Sequence, residues 1–499
     1  MNKYFTKKFI FLFLCIINIL PIISGFVFIN LFAVNVPYHD QFGVELPKII
    51  HFNEGNLTLS DFLTLNNDHR PIFVHILTFI ILSISKFNVI LEANIGYLLH
   101  VLAFIMIWII FKNEIPGLRP SSLYIFPVTL FFFNFYLISA YLWGILISSA
   151  LCLLAMICMV YCINKCDGLD KLFIAALFCA IVGTFSWTAG LFLWPAGLFQ
   201  LWISYKNRKN ILMVLWIVSC IILVIFDYLI LGFRTTGVHG YEGYSAYITA
   251  FLHYPIQKGI CFTEALGSNI VHDIAGAFGF GVLIIILFIF VLYLNRNQIR
   301  SPDTILWLTV SLYAAMVLFA LVLSRSGDGG VFGPANNIVF LPAVRHYPSI
   351  FIIIIGLYGL ITSSFARDLQ TDSGITKNID EKLACKPWNS KFAIDCALFG
   401  FVVAMLLSGF ILNSQIGIVH GVLWAEENTK DYNILKNYHT ASANDLQKLY
   451  TDRQTVSKLE QYNLSVFSSS SSGFYPNWMP ESLRKRILNS EYIKTVYLS

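Results

Sequence analysis

Long apolar runs are the feature that most constrains the fold of this chain. Stretches of about 18 or more apolar residues, long enough to cross the hydrocarbon core of a bilayer as a helix, recur along most of the sequence. Only 12% of the residues are charged, whereas soluble domains carry about 25%. The pattern therefore predicts an all-α polytopic membrane protein and argues against a soluble globular enzyme.

Hydropathy divides the chain into about eleven transmembrane helices. The first run, residues 9–33, follows Lys3, Lys7 and Lys8. It is longer than the apolar core of a cleaved signal peptide, which has about 7–15 residues, so we predict an uncleaved helix with a cytoplasmic N-terminus. The other ten predicted spans are 89–111, 121–137, 142–163, 172–184, 190–204, 211–231, 274–294, 304–323, 349–365 and 392–412.

The positions of Lys and Arg set the predicted orientation. If residues 72–86 lie on the outer surface as a short helix, the loops richest in Lys and Arg all face the cytoplasm, as the positive-inside rule requires. We therefore predict a multi-pass protein of the cell inner (cytoplasmic) membrane. Residues 1–412 form its membrane domain, with outer loops 34–71, 232–273 and 324–348. Residues 413–499 form a small periplasmic C-terminal region.

The first outer loop, residues 34–71, concentrates titratable groups in an otherwise apolar chain. Such groups are tolerated beside a bilayer where water or a polar ligand meets them, so this loop is the candidate reaction centre. Thr58 and Asp61 have the spacing of a capping box at the start of a short helix, which favours a structural role for Asp61. Other titratable groups of the loop include His39, Asp40, Glu45, His51, Glu54, Asp68, His69 and Arg70.

Arginines near the membrane boundary are candidate phosphate ligands. Arg325 and Arg345 flank a glycine-rich segment, and guanidinium groups pair with phosphate oxygens through two parallel hydrogen bonds. The alternative for these residues is snorkelling to the interface, and for Arg70 it is anchoring to lipid headgroups. Asp227, near the end of a span, is equally compatible with a functional site and with a structural pair to Arg234.

The sequence also limits the cofactors. No GKS or GKT follows the glycine-rich segment, so a nucleotide-binding P-loop is not supported. A divalent cation is compatible with the acids and histidines of the outer loops, but no HExxH spacing or CxxC pair indicates a metal site. Nothing in the charge pattern points to nucleic acid.

With these residues placed, the chain resembles the GT-C superfamily of polytopic glycosyltransferases, whose donors are sugars linked to polyprenyl phosphate. The resemblance rests on an acid in the first outer loop directly after the first helix, here Asp40 within the sequence YHDQ. Residues 59–70, 345–347 and 446–467 are similar to a poorly characterised bacterial branch of such proteins. Some members have a second acid beside the first, but Gln41 stands there in this chain, which weakens a metal-dependent version.

The resemblance implies a division of roles among these residues. Asp40 is expected to act as the base, with Asp68 or His69 positioning the acceptor hydroxyl. Arg70, Arg325 and Arg345 are expected to bind the donor phosphate. The motif neighbours His39, Gln41 and Tyr347 are expected to contact substrate. The implied partners are a polyprenyl-phosphate-linked sugar, a surface-glycan acceptor such as O-antigen or lipopolysaccharide, and the bilayer.

Two other functions remain open at this stage. An O-antigen polymerase or ligase would use the arginines and histidines of the later loops, and Asp40 would be dispensable. A transporter or flippase for a lipid-linked sugar would place ionisable residues near the middle of the membrane. The predicted helix interiors are nearly free of charge, which favours chemistry at the membrane surface.

Overall fold

The computed structural model describes residues 3–66, 70–115, 121–204, 209–227, 251–325, 346–373, 390–468 and 482. Within these ranges the chain forms helices and turns, and no β-strand. In chain order the α-helices are α1 (Lys3–Phe32), α2 (Leu46–Asn53), α3 (Leu59–Phe62), α4 (Ile72–Ile84), α5 (Val89–Glu114), α6 (Ser121–Phe132), α7 (Phe135–Ser139), α8 (Ile147–Lys165), α9 (Lys171–Thr184), α10 (Leu193–Ile203), α11 (Lys209–Ile225), α12 (Pro255–Gly267), α13 (Ile274–Leu294), α14 (Pro302–Arg325), α15 (Tyr347–Ile350), α16 (Ile352–Ser373), α17 (Ser390–Lys436), α18 (Ala443–Lys448) and α19 (Arg453–Gln461).

The prediction of an all-helical, multi-pass membrane protein is confirmed. Within the described part of the chain, seven helices are long and apolar enough to cross a bilayer, or eight if the bent pair α6–α7 is one span. The segments α9, α10 and α11, each predicted as a span, are apolar helices of 10 to 17 residues. The predicted count of eleven is therefore not confirmed.

Several helices begin where a side-chain oxygen caps the first turn. Asn88 accepts hydrogen bonds from the amides of Ile90 and Leu91 at 3.0 and 3.1 Å, which starts α5. Asp170 caps α9 and Asp273 caps α13 in the same way. Each cap satisfies amides that have no partner within the helix and contributes about 1 kcal/mol.

The helices α9 and α10 form the tight antiparallel pair that the sequence predicts. The chain turns at residues 185–187 and enters α10 through a 3-10 turn, Thr188–Phe192. A Cβ on Gly190 would lie 1.9 Å from the carbonyl oxygen of Gly183. The two backbones approach so closely here that only glycine fits at position 190.

The bundle has two ends with different polar contacts. At one end Lys165 pairs with Glu114 at 2.6 Å, and Arg367 pairs with Asp303. At the other end the first loop packs beside the α9–α10 turn, where the amide of Phe73 donates to the carbonyl of Phe185 at 3.2 Å. We call this second end the loop rim.

Helix α4 corresponds to the segment predicted to lie on the surface. Its 13 residues span about 20 Å, which is shorter than the hydrocarbon core of about 30 Å. The helix buries Val74, Thr78 and Ile81 within the protein. This length is consistent with a segment that does not cross the membrane.

The second predicted outer loop, residues 232–273, is partly helical and packs into the bundle. Residues 228–250 lie outside the described ranges, but α12 lies closely against α13. A Cβ on Gly281 would lie 1.8 Å from the carbonyl oxygen of Thr263, so the two helices meet through their backbones. Half of the predicted loop is therefore part of the helical scaffold.

The C-terminal region is joined to the first loop by a second, smaller core. Helix α17 runs for 47 residues and passes the predicted domain boundary at 412 without a break. Beyond it, α18 and α19 fold back onto α2, where Leu46, Ile49, Leu446 and Leu459 are buried together. The tail is therefore an integral part of the loop rim.

Candidate functional site

The chain leaves α1 and makes a sharp turn that carries Asp40. His39 has a φ of +44°, a left-handed conformation that is uncommon outside glycine. Gln41 to Glu45 then form one turn of π-helix, which begins directly after Asp40. Strained residues and π-helical turns are enriched at functional sites, so this geometry supports the choice of Asp40. Asp40 itself is partly exposed.

Aromatic rings from four distant parts of the chain gather beside Asp40. The ring of Tyr38 lies 4.7 Å from that of Trp424 and 5.6 Å from that of Trp143. The ring of His39 lies 4.2 Å from that of Tyr450, which is 64% exposed. We call these five side chains the aromatic recess.

The recess also contains a buried hydrogen-bond donor. The indole Nε1 of Trp143 is buried and has no hydrogen-bond partner among the described residues. Buried polar groups without a partner are rare in folded proteins. Within the described ranges, Trp143 therefore carries an unpaired donor beneath the rings of the recess.

Gln41 is buried beneath the turn, with 1% of its surface exposed. Its Oε1 accepts a hydrogen bond from the amide of Tyr38 at 2.9 Å, and its Nε2 donates to Oε2 of Glu92 at 2.7 Å. Both ends of its amide are therefore bound within the protein, and its expected contact with substrate stays a prediction.

Glu45 and Glu92 form a buried pair of carboxyl groups under the same turn. Their exposed fractions are 3% and 0%. Both oxygens of Glu45 and Oε1 of Glu92 have no partner with hydrogen-bonding distance and angle among the described residues. Burial raises the pKa of Glu45 to about 7, and nearby Lys48 partly opposes this shift.

Glu92 was not among the residues that the sequence singled out. It lies in the first turn of α5, within an apolar helix. An ionisable residue in such a helix is itself a functional indication, so the signal was present in the sequence. Its partner Glu45, however, is 47 positions away, and only the fold brings the two together.

Arg70 is paired inside the protein. Its Nε lies 3.0 Å from Oδ1 of Asp227, its Nη1 donates to the carbonyl of Leu63, and 6% of its side chain is exposed. The expected role of Arg70 in binding phosphate is therefore not supported by its contacts. Asp227 forms a structural ion pair with Arg70, whereas the sequence suggested Arg234 as its partner. The other candidate partner, Arg234, lies outside the described residues.

Tyr347 is also buried, with 2% of its surface exposed. Its hydroxyl donates to Oγ of Ser268 at 2.8 Å, and its ring packs against those of Tyr136 and His272. Its expected contact with substrate stays a prediction, and its observed contacts lie within the protein. The residue instead ties α15 to the end of α12.

Asp61 has the structural role that the sequence predicts. Its carboxylate accepts a hydrogen bond from the amide of Thr58 at 2.7 Å, and the capping box of α3 is complete. It also contacts Nδ1 of His51 at 3.0 Å. Helix α3 ends at Phe62.

The remaining predicted site residues are not placed by the structure. Asp68, His69 and Arg345 lie outside the described residues, and Arg325 is the last residue of α14, with no side chain described. Within the described ranges, no three His, Cys, Asp or Glu side chains are grouped so as to hold a metal ion. The described site therefore consists of Asp40, the aromatic recess and the buried acids beneath them.

Comparison with known proteins adds one relative. A stretch of 236 residues, 46% of this chain, is 29% identical to an uncharacterized protein of Archaeoglobus fulgidus. The match covers 56% of the length of that relative, so the chain spans about half of it. No family model and no solved structure matches the chain.

Proposed function

We propose that this protein is an integral-membrane glycosyltransferase that moves a sugar from a polyprenyl-phosphate carrier to a surface-glycan acceptor. The observation that carries the proposal is the position of Asp40, a partly exposed carboxylate beside a recess of aromatic rings at the loop rim. Aromatic faces pack against the apolar faces of sugar rings, and most small-ligand sites combine such surfaces with a few polar groups.

The proposed reaction is a displacement at the anomeric carbon. Asp40 accepts the proton of the acceptor hydroxyl, and the hydroxyl oxygen attacks C1 of the donor sugar. The bond between C1 and the phosphate oxygen breaks, and polyprenyl phosphate leaves with the bonding electron pair.

Positive charge is needed where the phosphate departs. Arg70 is paired with Asp227, so we assign this role to Arg325 and Arg345, which flank the glycine-rich segment 326–344 in the sequence. We propose that the reaction takes place on the periplasmic face of the inner membrane, with the polyprenyl chain of the donor remaining in the bilayer. The acceptor belongs to the class of envelope polysaccharides, O-antigen or lipopolysaccharide among them.

A comparison of labelled donors tests this function against its alternatives. Purified protein in liposomes is given a radiolabelled polyprenyl-phosphate monosaccharide, a polyprenyl-diphosphate oligosaccharide or a nucleotide sugar, each with an isolated glycan acceptor. We expect the label of the polyprenyl-phosphate monosaccharide to enter the acceptor, and the labels of the other two donors to stay out of it. Transfer of whole oligosaccharides would favour a polymerase or ligase, and movement of the donor between leaflets without transfer would favour a flippase. Either result would overturn the proposal.

A further inference from the structure

One side chain connects the turn that carries Asp40 to the membrane helix beneath it. Gln41 accepts from the amide of Tyr38 and donates to Glu92 in α5, at 2.9 and 2.7 Å. Asp40 lies between Tyr38 and Gln41 in the chain, so this bridge holds the backbone on both sides of the carboxylate. The conformation of His39, with its φ of +44°, requires such support because a left-handed residue is strained.

The place of Glu92 depends on a glycine from a third part of the chain. A Cβ on Gly144 would lie 2.4 Å from Oε2 of Glu92 and 3.2 Å from Nε2 of Gln41. The neighbouring residue, Trp143, belongs to the aromatic recess. The hydrogen-bonded bridge and the wall of the recess are therefore packed together, and any side chain at position 144 would displace the acceptor oxygen.

The acid pair beneath the turn places this bridge in an apolar setting. Glu45 and Glu92 are both buried, and a hydrogen bond is electrostatically stronger inside a protein than in water. Burial raises the pKa of Glu45, Lys48 of α2 partly opposes this shift, and Thr78 of α4 also lies near this acid. Oε2 of Glu92 accepts the hydrogen bond from Nε2 of Gln41.

We propose that Gln41 and Glu92 are positioning residues, which hold the turn so that Asp40 keeps a fixed place beside the aromatic recess. The inference rests on the proposed function for its catalytic part. Its structural part, the fixed turn, is independent of any reaction and is measured separately.

The test combines hydrogen exchange with transfer kinetics. The variant Gln41→Met keeps the length of the side chain and removes both hydrogen bonds, Glu92→Gln keeps an acceptor oxygen, and Gln447→Ala changes an exposed glutamine as control. We expect Gln41→Met to speed exchange of the amides in peptide 36–45 by at least about tenfold. We also expect it to lower kcat by about 100-fold with KM little changed, since small misplacements of a catalytic group have effects of this size. Glu92→Gln keeps the acceptor oxygen, so exchange of the amides in peptide 36–45 should stay within about threefold of wild type in this variant.

A double-variant cycle separates positioning from general damage. If Gln41 acts through Asp40, the change Gln41→Met should cause no further loss of kcat in an Asp40→Asn background. Unchanged exchange in peptide 36–45, or losses that multiply in the double variant, would overturn the inference. Exchange in peptide 443–461 reports whether each variant is folded. A wild-type protein that transfers no sugar would overturn the proposed function and the catalytic part, while hydrogen exchange would still decide the structural part.

Discussion

At the scale of single residues, the loop rim shows which roles can be predicted from neighbouring positions in the sequence. Asp61 was assigned as a helix cap from its spacing to Thr58, and the structure confirms it because a capping box involves only four adjacent positions. Gln41 and Tyr347 were expected to contact substrate, and the structure buries both side chains. Burial depends on contacts with Glu92 and Ser268, which lie far away in the chain, and no local pattern predicts them.

The buried acid Glu45 makes a prediction about stability and pH. Burial raises its pKa from the ordinary 4.5 to about 7. Because the folded value is the higher one, its contribution to stability is fully present below pH 4.5 and is lost as the pH rises through about 7. Wild-type protein should lose on the order of 3 kcal/mol across this window, and Glu45→Gln should lose less.

The measurement is the thermal unfolding temperature in detergent between pH 4.5 and 8. Glu54→Gln is the matched control. The hydrogen bond from Lys458 lowers the pKa of Glu54, so the contribution of Glu54 to stability changes with pH in the opposite direction. Burial lowers the pKa of Lys48 to about 8, so readings above pH 8 report on that lysine as well. Equal pH dependence in wild type and Glu45→Gln would contradict this assignment.

At the scale of helices, the apolar runs predicted where most segments lie but not how each ends. The predicted span 121–137 contains a bend of 43°, because Asn134 caps a new helix after a break at residues 133 and 134. The last membrane span was predicted to end at residue 412, but the helix that contains it does not end there. Hydropathy falls there, but the residues of 413–436 still favour a helix, so α17 continues beyond the apolar run.

The packing of α19 against the first loop leads to a second prediction. Leu459 is fully buried in the small core between the tail and α2. Replacing it by Ala should weaken this core by about 2–5 kcal/mol and increase protease cleavage within residues 443–467. The control Gln461→Ala, at an exposed position of the same helix, should cleave as wild type does. Equal cleavage of both variants would show that the tail is held by other contacts.

At the scale of the whole molecule, the loop rim is formed by segments that are far apart in the sequence and close together in the fold. The sequence predicted only part of this arrangement. The grouping of acids in the first loop was predicted from composition, and the tail was predicted to lie on the same side. The contribution of Trp143, Trp424 and Tyr450 to one recess was not predicted, because the three residues lie far apart in the sequence. Their meeting depends on the path of α17 and on the return of the tail.

The comparison of wild type with Asp40→Asn is the most direct test of the account. Purified proteins in liposomes are given the labelled polyprenyl-phosphate sugar and acceptor, with Asp452→Asn as a matched change at a helix cap of the tail. We predict that Asp40→Asn lowers kcat by about 100-fold or more, the typical contribution of a positioned base, while Asp452→Asn stays near wild type. Transfer by Asp40→Asn at the wild-type rate, in protein of normal folding and yield, would contradict the account.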